Sequence, residues 1–160
     1  MCVCVLLILF VWALLPTGNT FLGLEAICSL TIRSRLCKLS PASLHHLSLI
    51  PRVVGLNIDL SCNELEGPNC PANIVDHIES FLRKPYLSHL KLERCGLTSR
   101  SFIKLGEHIS SAEVLKSLHV GRNESVDDNA VSKLLLGCSR SPRLQLLDVA
   151  YMNMGMGMAI

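Results

Sequence analysis

Ile58–Leu65 reads IDLSCNEL, and the fold turns on this stretch. Ile58 and Leu60 alternate with polar residues, as they would along a strand that buries one face. The alternation then breaks at Ser61-Cys62-Asn63, and one further apolar residue, Leu65, follows. A strand that stops on an asparagine with a leucine two residues beyond asks whether the pattern occurs again.

It does. Leu87, Leu90, Leu92, Cys95 and Leu97 in LSHLKLERCGL match the leucine-rich-repeat template L-x-x-L-x-L-x-x-N/C-x-L at every position. LKSLHVGRNESV supplies Leu115, Leu118, Val120 and Asn123, with the last apolar position slipped to Val126. LQLLDVAYMNM supplies Leu144, Leu147 and Val149, then Met152 at the Asn/Cys position and Met154. The opening stretch contributes Gly55, Ile58, Leu60, Asn63 and Leu65. A fainter copy, SLTIRSRLCKL, keeps Ile32, Cys37 and Leu39 in register but has Ser34 where an apolar residue belongs.

The first template positions, Gly55, Leu87, Leu115 and Leu144, are separated by 32, 28 and 29 residues, which leaves room for a helix in every unit. PANIVDHIESFLRK sets Ile74, Ile78, Phe81 and Leu82 on one helical face, and SRSFIKLGEHIS does the same with Phe102, Leu105 and Ile109. DDNAVSKLLLGC opens on Asp127 and Asp128, suited to a helix N-terminus, and stripes Val131, Leu134 and Leu135 ahead of Gly137. The expected fold class is α/β: a partial leucine-rich-repeat solenoid of ribonuclease-inhibitor type, with short parallel strands inside and helices outside. The domain reading is an apolar leader over 1–19, outside the repeat domain, and about five repeats over 20–160.

The asparagine now has a physical role. Where the chain leaves a parallel strand, buried backbone groups need partners, and a side-chain amide from Asn63 or Asn123 can serve its own turn and the neighbouring unit. A small Cys95 fills the same inward position, so Asn63, Cys95 and Asn123 form a structural ladder. The residues between the buried leucines alternate to the opposite, concave face, which makes Asp59, His89, Lys91, His119 and Asp148 the candidate contact residues.

Composition narrows the function. Hydrophobic residues make up 49% of the chain and aromatics only 4%, as expected when Leu, Ile and Val layers do the packing. A net charge of +2, with scattered Lys and Arg and no stripe interleaved with aromatics, excludes a nucleic-acid footprint. Eight cysteines raise the question of compartment, but Cys62, Cys95 and Cys138 sit in or near repeat positions where a small apolar residue suffices, which favours reduced thiols. Cys62, Cys70 and His77 match no zinc spacing, and His45-His46 lacks a Cys or Asp companion at catalytic spacing. The sequence shows no nucleophile elbow, phosphate loop or paired-carboxylate motif, so neither an enzyme, a metal nor a cofactor is expected. Asn123-Glu124-Ser125 is formally a glycosylation sequon, yet a glycan there would pull the ladder asparagine out of the core.

The run CVCVLLILFVWALLP, Cys2 to Pro16, is uncharged and shorter than the roughly 20 residues of a comfortable membrane span. As a signal peptide it lacks a preceding Lys or Arg and a small-x-small cleavage site. It reads as a non-native start, a signal or anchor, or a buried segment, and it is the one stretch through which membrane contact is expected.

KLSPASLHHLSLIPRVVGLNIDLSCNELEG, Lys38 to Gly67, resembles the central repeats of the CARMIL family, large scaffolds that link actin capping protein and myosin-I. Gly121-Arg122-Asn123, the helix after it and SPRLQLLDVAYMNM are similar to the same family's order of elements, and the likeness covers about Leu24 to Met154. The resemblance implies a repeat region set between a lipid-binding domain and a dimerisation domain with a disordered tail. Capping-protein binding belongs to that tail, for which this chain offers no counterpart. The loop GPNCP and the ending MNMGMGMAI depart from the pattern, and both ends of the solenoid look cut. The expected function is a non-enzymatic scaffold module with a protein partner, actin-regulatory by resemblance, in the cytoplasm at the cytoskeleton or plasma membrane. The alternative is a secreted or membrane-anchored recognition protein that uses Cys2 to Pro16 for export, with disulfides and a glycan at Asn123.

Overall fold

A computed structural model describes residues 30–35, 39, 45, 55–66, 74–124 and 126–152. The leader over 1–19, His46, the loop over 67–71 with Cys70, Ser125 and Met154 lie outside the described residues.

Within them the chain is α/β. Strands β1 (Leu30–Arg33), β2 (Leu56–Asp59), β3 (Leu87–Lys91), β4 (Ser117–His119) and β5 (Leu146–Asp148) form one parallel sheet in sequence order. Helix α1 (Val75–Leu82) lies between β2 and β3, α2 (Ser99–His108) between β3 and β4, and α3 (Asp128–Ser139) between β4 and β5; a 3₁₀ turn, Ile109–Ser111, extends α2. Parallel neighbours need a crossover, and a helix at each of these connections satisfies that need.

The pairing register carries the periodicity into space. Ile32, Ile58, Leu90, Leu118 and Leu147 stand side by side across the sheet. The first four are buried, in one core with Phe81 of α1, Phe102 and Leu105 of α2 and Val131 and Leu134 of α3. Just past the strands the ladder continues, because the N–H groups of Ser34, Leu60, Leu92 and Val120 donate to the carbonyls of Asp59, Lys91, His119 and Asp148. One more rung follows in each turn: Cys62, Arg94 and Arg122 donate N–H to Glu93, Gly121 and Ala150.

These turns have a common backbone shape. Cys62, Arg94, Arg122 and Tyr151 all adopt left-handed conformations, with φ of 62°, 51°, 60° and 57°. A non-glycine residue there costs about 1–2 kcal/mol, so its recurrence at the same place in four turns means that the surroundings impose it.

The helix layer departs from the expected stripe. Leu135 is 40% exposed, while Ala130 and Gly137 take the buried positions beside Val131 and Leu134. Gly137 does not mark the end of α3, which runs on to Ser139. The reason is close packing: a Cβ on Gly137 would lie 2.1 Å from the carbonyl oxygen of Gly106 in α2, and one on Gly106 would lie 2.5 Å from that of Lys133. Backbone meets backbone at this crossing, so the small residues face the neighbour and Leu135 turns outward. Ser34, at the apolar position of the faint first copy, is buried, and its carbonyl accepts from Asn63 Nδ2.

Candidate functional site

The turns bring each ladder residue to a buried position. Asn123 donates from Nδ2 to the carbonyls of Val120 in its own turn (2.8 Å) and Leu92 in the preceding unit (3.0 Å). Its Oδ1 accepts from the N–H groups of Cys95 (2.9 Å) and Leu97 (3.1 Å). Asn63 donates to Leu60 of its own turn and to Ser34 of the unit before. Cys95 is fully buried, its Sγ 3.2 Å from the Leu60 carbonyl, and burial pushes its thiol up to about 12. Cys138, partly buried on α3, is pushed up to about 11 for the same reason. Neither thiol is a nucleophile near neutral pH, because the thiolate is the reactive form. Cys62, Cys95 and Cys138 are free thiols.

The face of the sheet opposite the helices carries mostly polar side chains, most of them half-buried, with Leu146 exposed among them. Asp59, Lys91, His119 and Asp148 pair in register on β2, β3, β4 and β5, so four of the five candidate contact residues form a single row, which Arg33 of β1 extends. His89 lies in the adjoining row with Thr31, Asn57, Ser117 and Leu146. An irregularity in the β2–β3 register, where Ser88 is passed over, keeps His89 on this face.

Hydrogen bonds organise both rows. In the second, Asn57 Nδ2 donates to Thr31 Oγ1 (3.2 Å) and His89 Nδ1 lies 2.6 Å from Ser117 Oγ. Burial holds the His89 imidazole below its usual pKa, helped by the positive charges of Lys116, His119 and Lys91. In the first row, Asp148 Oδ1 accepts from the Ala150 N–H (2.9 Å) while Oδ2 stands 3.3 Å from His119 Nδ1. The Asp148 carboxyl is therefore held below the ordinary carboxylate range, by the Ala150 N–H first and by His119 and Arg122 after it. Glu93, in the turn after β3, approaches the same imidazole nitrogen at 3.8 Å.

Sequence spacing alone did not single out Glu93. Its neighbours Leu92 and Cys95 mark it as a turn residue, and only the stacking of three units brings its carboxylate beside His119 and Asp148. Arg122 is positioned by its left-handed backbone, with its guanidinium 5.0 Å from the centre of the Tyr151 ring. Together these side chains set charges of both signs side by side on a face that solvent reaches. His77 and Cys62, weighed as metal ligands with Cys70, do not join a common cluster among the described residues.

Among the described residues no helix is long and apolar enough to cross a membrane. No protein-family model matches the chain, and no curated protein matches it.

Proposed function

We propose that this chain is a non-enzymatic protein-interaction module, a partial leucine-rich-repeat solenoid of ribonuclease-inhibitor type whose open sheet face docks a protein partner. The observation that carries this reading is the row Asp59, Lys91, His119 and Asp148, four polar or charged side chains from four consecutive strands in one register. A parallel sheet holds such a row rigidly, so a partner with the complementary order of charges pays little ordering entropy on binding. The ladder of Asn63, Cys95 and Asn123 supports the repeat assignment, since each closes its turn against the preceding unit.

The resemblance to the CARMIL repeat region supplies the context: a cytoplasmic scaffold in actin regulation, near the cytoskeleton or the plasma membrane. Two measurements test these layers separately. An immunoblot against the Leu87–Asn123 region reports the size of the endogenous polypeptide; a band several times larger than 17.6 kDa supports the scaffold reading, and a single band at that mass removes it. Quantitative affinity capture with the wild type and with a row-reversed variant (Asp59→Lys, Lys91→Glu, Asp148→Lys) tests the face. Partners lost with the reversed row support the docking reading, and identical partner sets refute it.

A further inference from the structure

The side chains of Glu93, His119 and Asp148 come from the turn after β3, from β4 and from β5, and their ligand atoms all lie within 4.8 Å of one another. We infer that these three residues form a binding site for a divalent transition-metal ion of the zinc type, on the open face of the sheet. This inference stands on the three-residue cluster and does not depend on the interaction reading.

The geometry is close to what such an ion requires. Bonds of about 2.1 Å to nitrogen and oxygen in a tetrahedral shell put neighbouring ligand atoms about 3.4 Å apart. His119 Nδ1 lies 3.3 Å from Asp148 Oδ2 and 3.8 Å from Glu93 Oε1, so small rotations of half-buried side chains bring all three into a shell. An outer hydrogen bond already orients one ligand: the Ala150 N–H holds Asp148 Oδ1, which leaves Oδ2 turned to the imidazole. The Glu93 backbone N–H donates to Ser61 Oγ in the preceding turn, which fixes the loop that carries its carboxylate.

Charge and ligand type indicate which ion. Two carboxylates and a neutral imidazole carry a formal charge of −2, which one divalent cation neutralises. Magnesium and calcium favour shells made only of oxygen, whereas an imidazole nitrogen beside carboxylates suits zinc, cobalt and nickel. The remaining positions of the shell open to solvent, where water completes it. Lys91, the register neighbour of His119, and Arg122, whose charge acts on Asp148, oppose cation entry and hold the affinity below that of a buried structural site.

The test is a titration of the full chain with Co²⁺ alone in a non-coordinating reducing buffer, followed by absorption spectroscopy. The expected result is visible d–d bands that saturate at one equivalent, without thiolate-to-cobalt charge-transfer bands. His119→Gln and Asp148→Asn should weaken binding at least tenfold, while His89→Gln, on the same face but outside the cluster, should titrate like the wild type. Equimolar Zn²⁺ should erase the bands and excess Mg²⁺ should leave them. Circular dichroism shows whether each variant is folded; should His119→Gln unfold, Glu93→Gln takes its place with the same expected loss. The inference is overturned by absent d–d bands, by spectra dominated by thiolate charge transfer, or by a folded ligand variant that binds as the wild type does.

Discussion

The two faces of the sheet obey different rules. On the helix side, Ile58, Leu90 and Leu118 lie in a core where side chains fill the space and, at the α2–α3 crossing, even a methyl group finds no room. On the open side, Asp59, Lys91, His119 and Asp148 keep the same register but touch solvent. On β2, β3 and β4 adjacent residues of the two sets, Ile58 and Asp59, Leu90 and Lys91, Leu118 and His119, point to opposite faces. The difference sets packing against solvation: the α2–α3 crossing has no room for added volume, while the open-face side chains have solvent to move into.

The largest effect should come from the edge between the faces, at the ladder. Asn123→Ala strands two buried N–H groups, of Cys95 and Leu97, and takes a partner from the Leu92 and Val120 carbonyls. At about 1–3 kcal/mol for each unpaired buried group, less what relaxation recovers, the expected loss is about 4 kcal/mol. Urea unfolding measures it, and a loss below about 1 kcal/mol would show that the turn does not depend on the amide.

Gly137→Ala comes next and probes the helix side alone. The added Cβ would meet the Gly106 carbonyl at 2.1 Å, so α2 and α3 must separate. Overpacking of this kind costs about 1–3 kcal/mol, of which the better helix propensity of alanine returns up to about 1. A net loss of about 2 kcal/mol is expected, with Gly106→Ala similar because its Cβ would meet the Lys133 carbonyl at 2.5 Å. An unchanged midpoint for both would mean that the helices are not held in backbone contact.

The strand pattern and the ladder were legible because each repeats: Leu90 or Asn123 alone says little, but the same spacing four times over does. The open-face row was legible in its members, since alternation selects Asp59, Lys91 and His119, but not in its alignment, which is a matter of register between strands. The glycine crossing was not legible. Gly137 follows three leucines, and nothing local in the sequence shows that it packs against Gly106. For the same reason the apolar stripe puts Leu135 on the buried face in sequence, although Ala130 and Gly137 take the buried positions. Glu93 escaped notice because its partners His119 and Asp148 belong to later units, and a search for closely spaced ligands cannot find a site assembled by stacking.

A smaller effect should appear with pH at His89. Burial lowers its pKa in the folded chain, so the unfolded chain takes up the proton first, near the ordinary value of about 6.5. Above that pH neither state is protonated and His89 contributes nothing to the pH dependence. As the pH falls below it, the unfolded state binds more protons and stability declines, levelling once the folded state is protonated too. Comparing urea midpoints at about pH 7.5 and about pH 5 for the wild type and His89→Gln isolates this contribution, because the other titrating groups are common to both. The variant should lose less stability on acidification; an equal or greater loss would show that burial does not control this imidazole.

Lys91→Ala should produce the smallest change, and for that reason it tests the comparison most directly. Lys91 sits in the middle of the row, paired in register with Asp59 on one side and His119 on the other, yet its side chain is half-buried and faces away from the core. Opposite charges across neighbouring strands contribute about 0.2–1 kcal/mol, and removing the ammonium also relieves its repulsion of the protonated His89 imidazole. The two effects oppose each other, so stability should stay within about 0.5 kcal/mol of the wild type. Two other readouts should move in definite directions. The pKa of His89, followed by NMR titration, should rise once a neighbouring positive charge is gone, and Co²⁺ should bind more tightly to the cluster at His119. A loss of stability above about 1 kcal/mol would instead place Lys91 among the residues that hold the sheet together, and the division of labour between the two faces would fail at its centre.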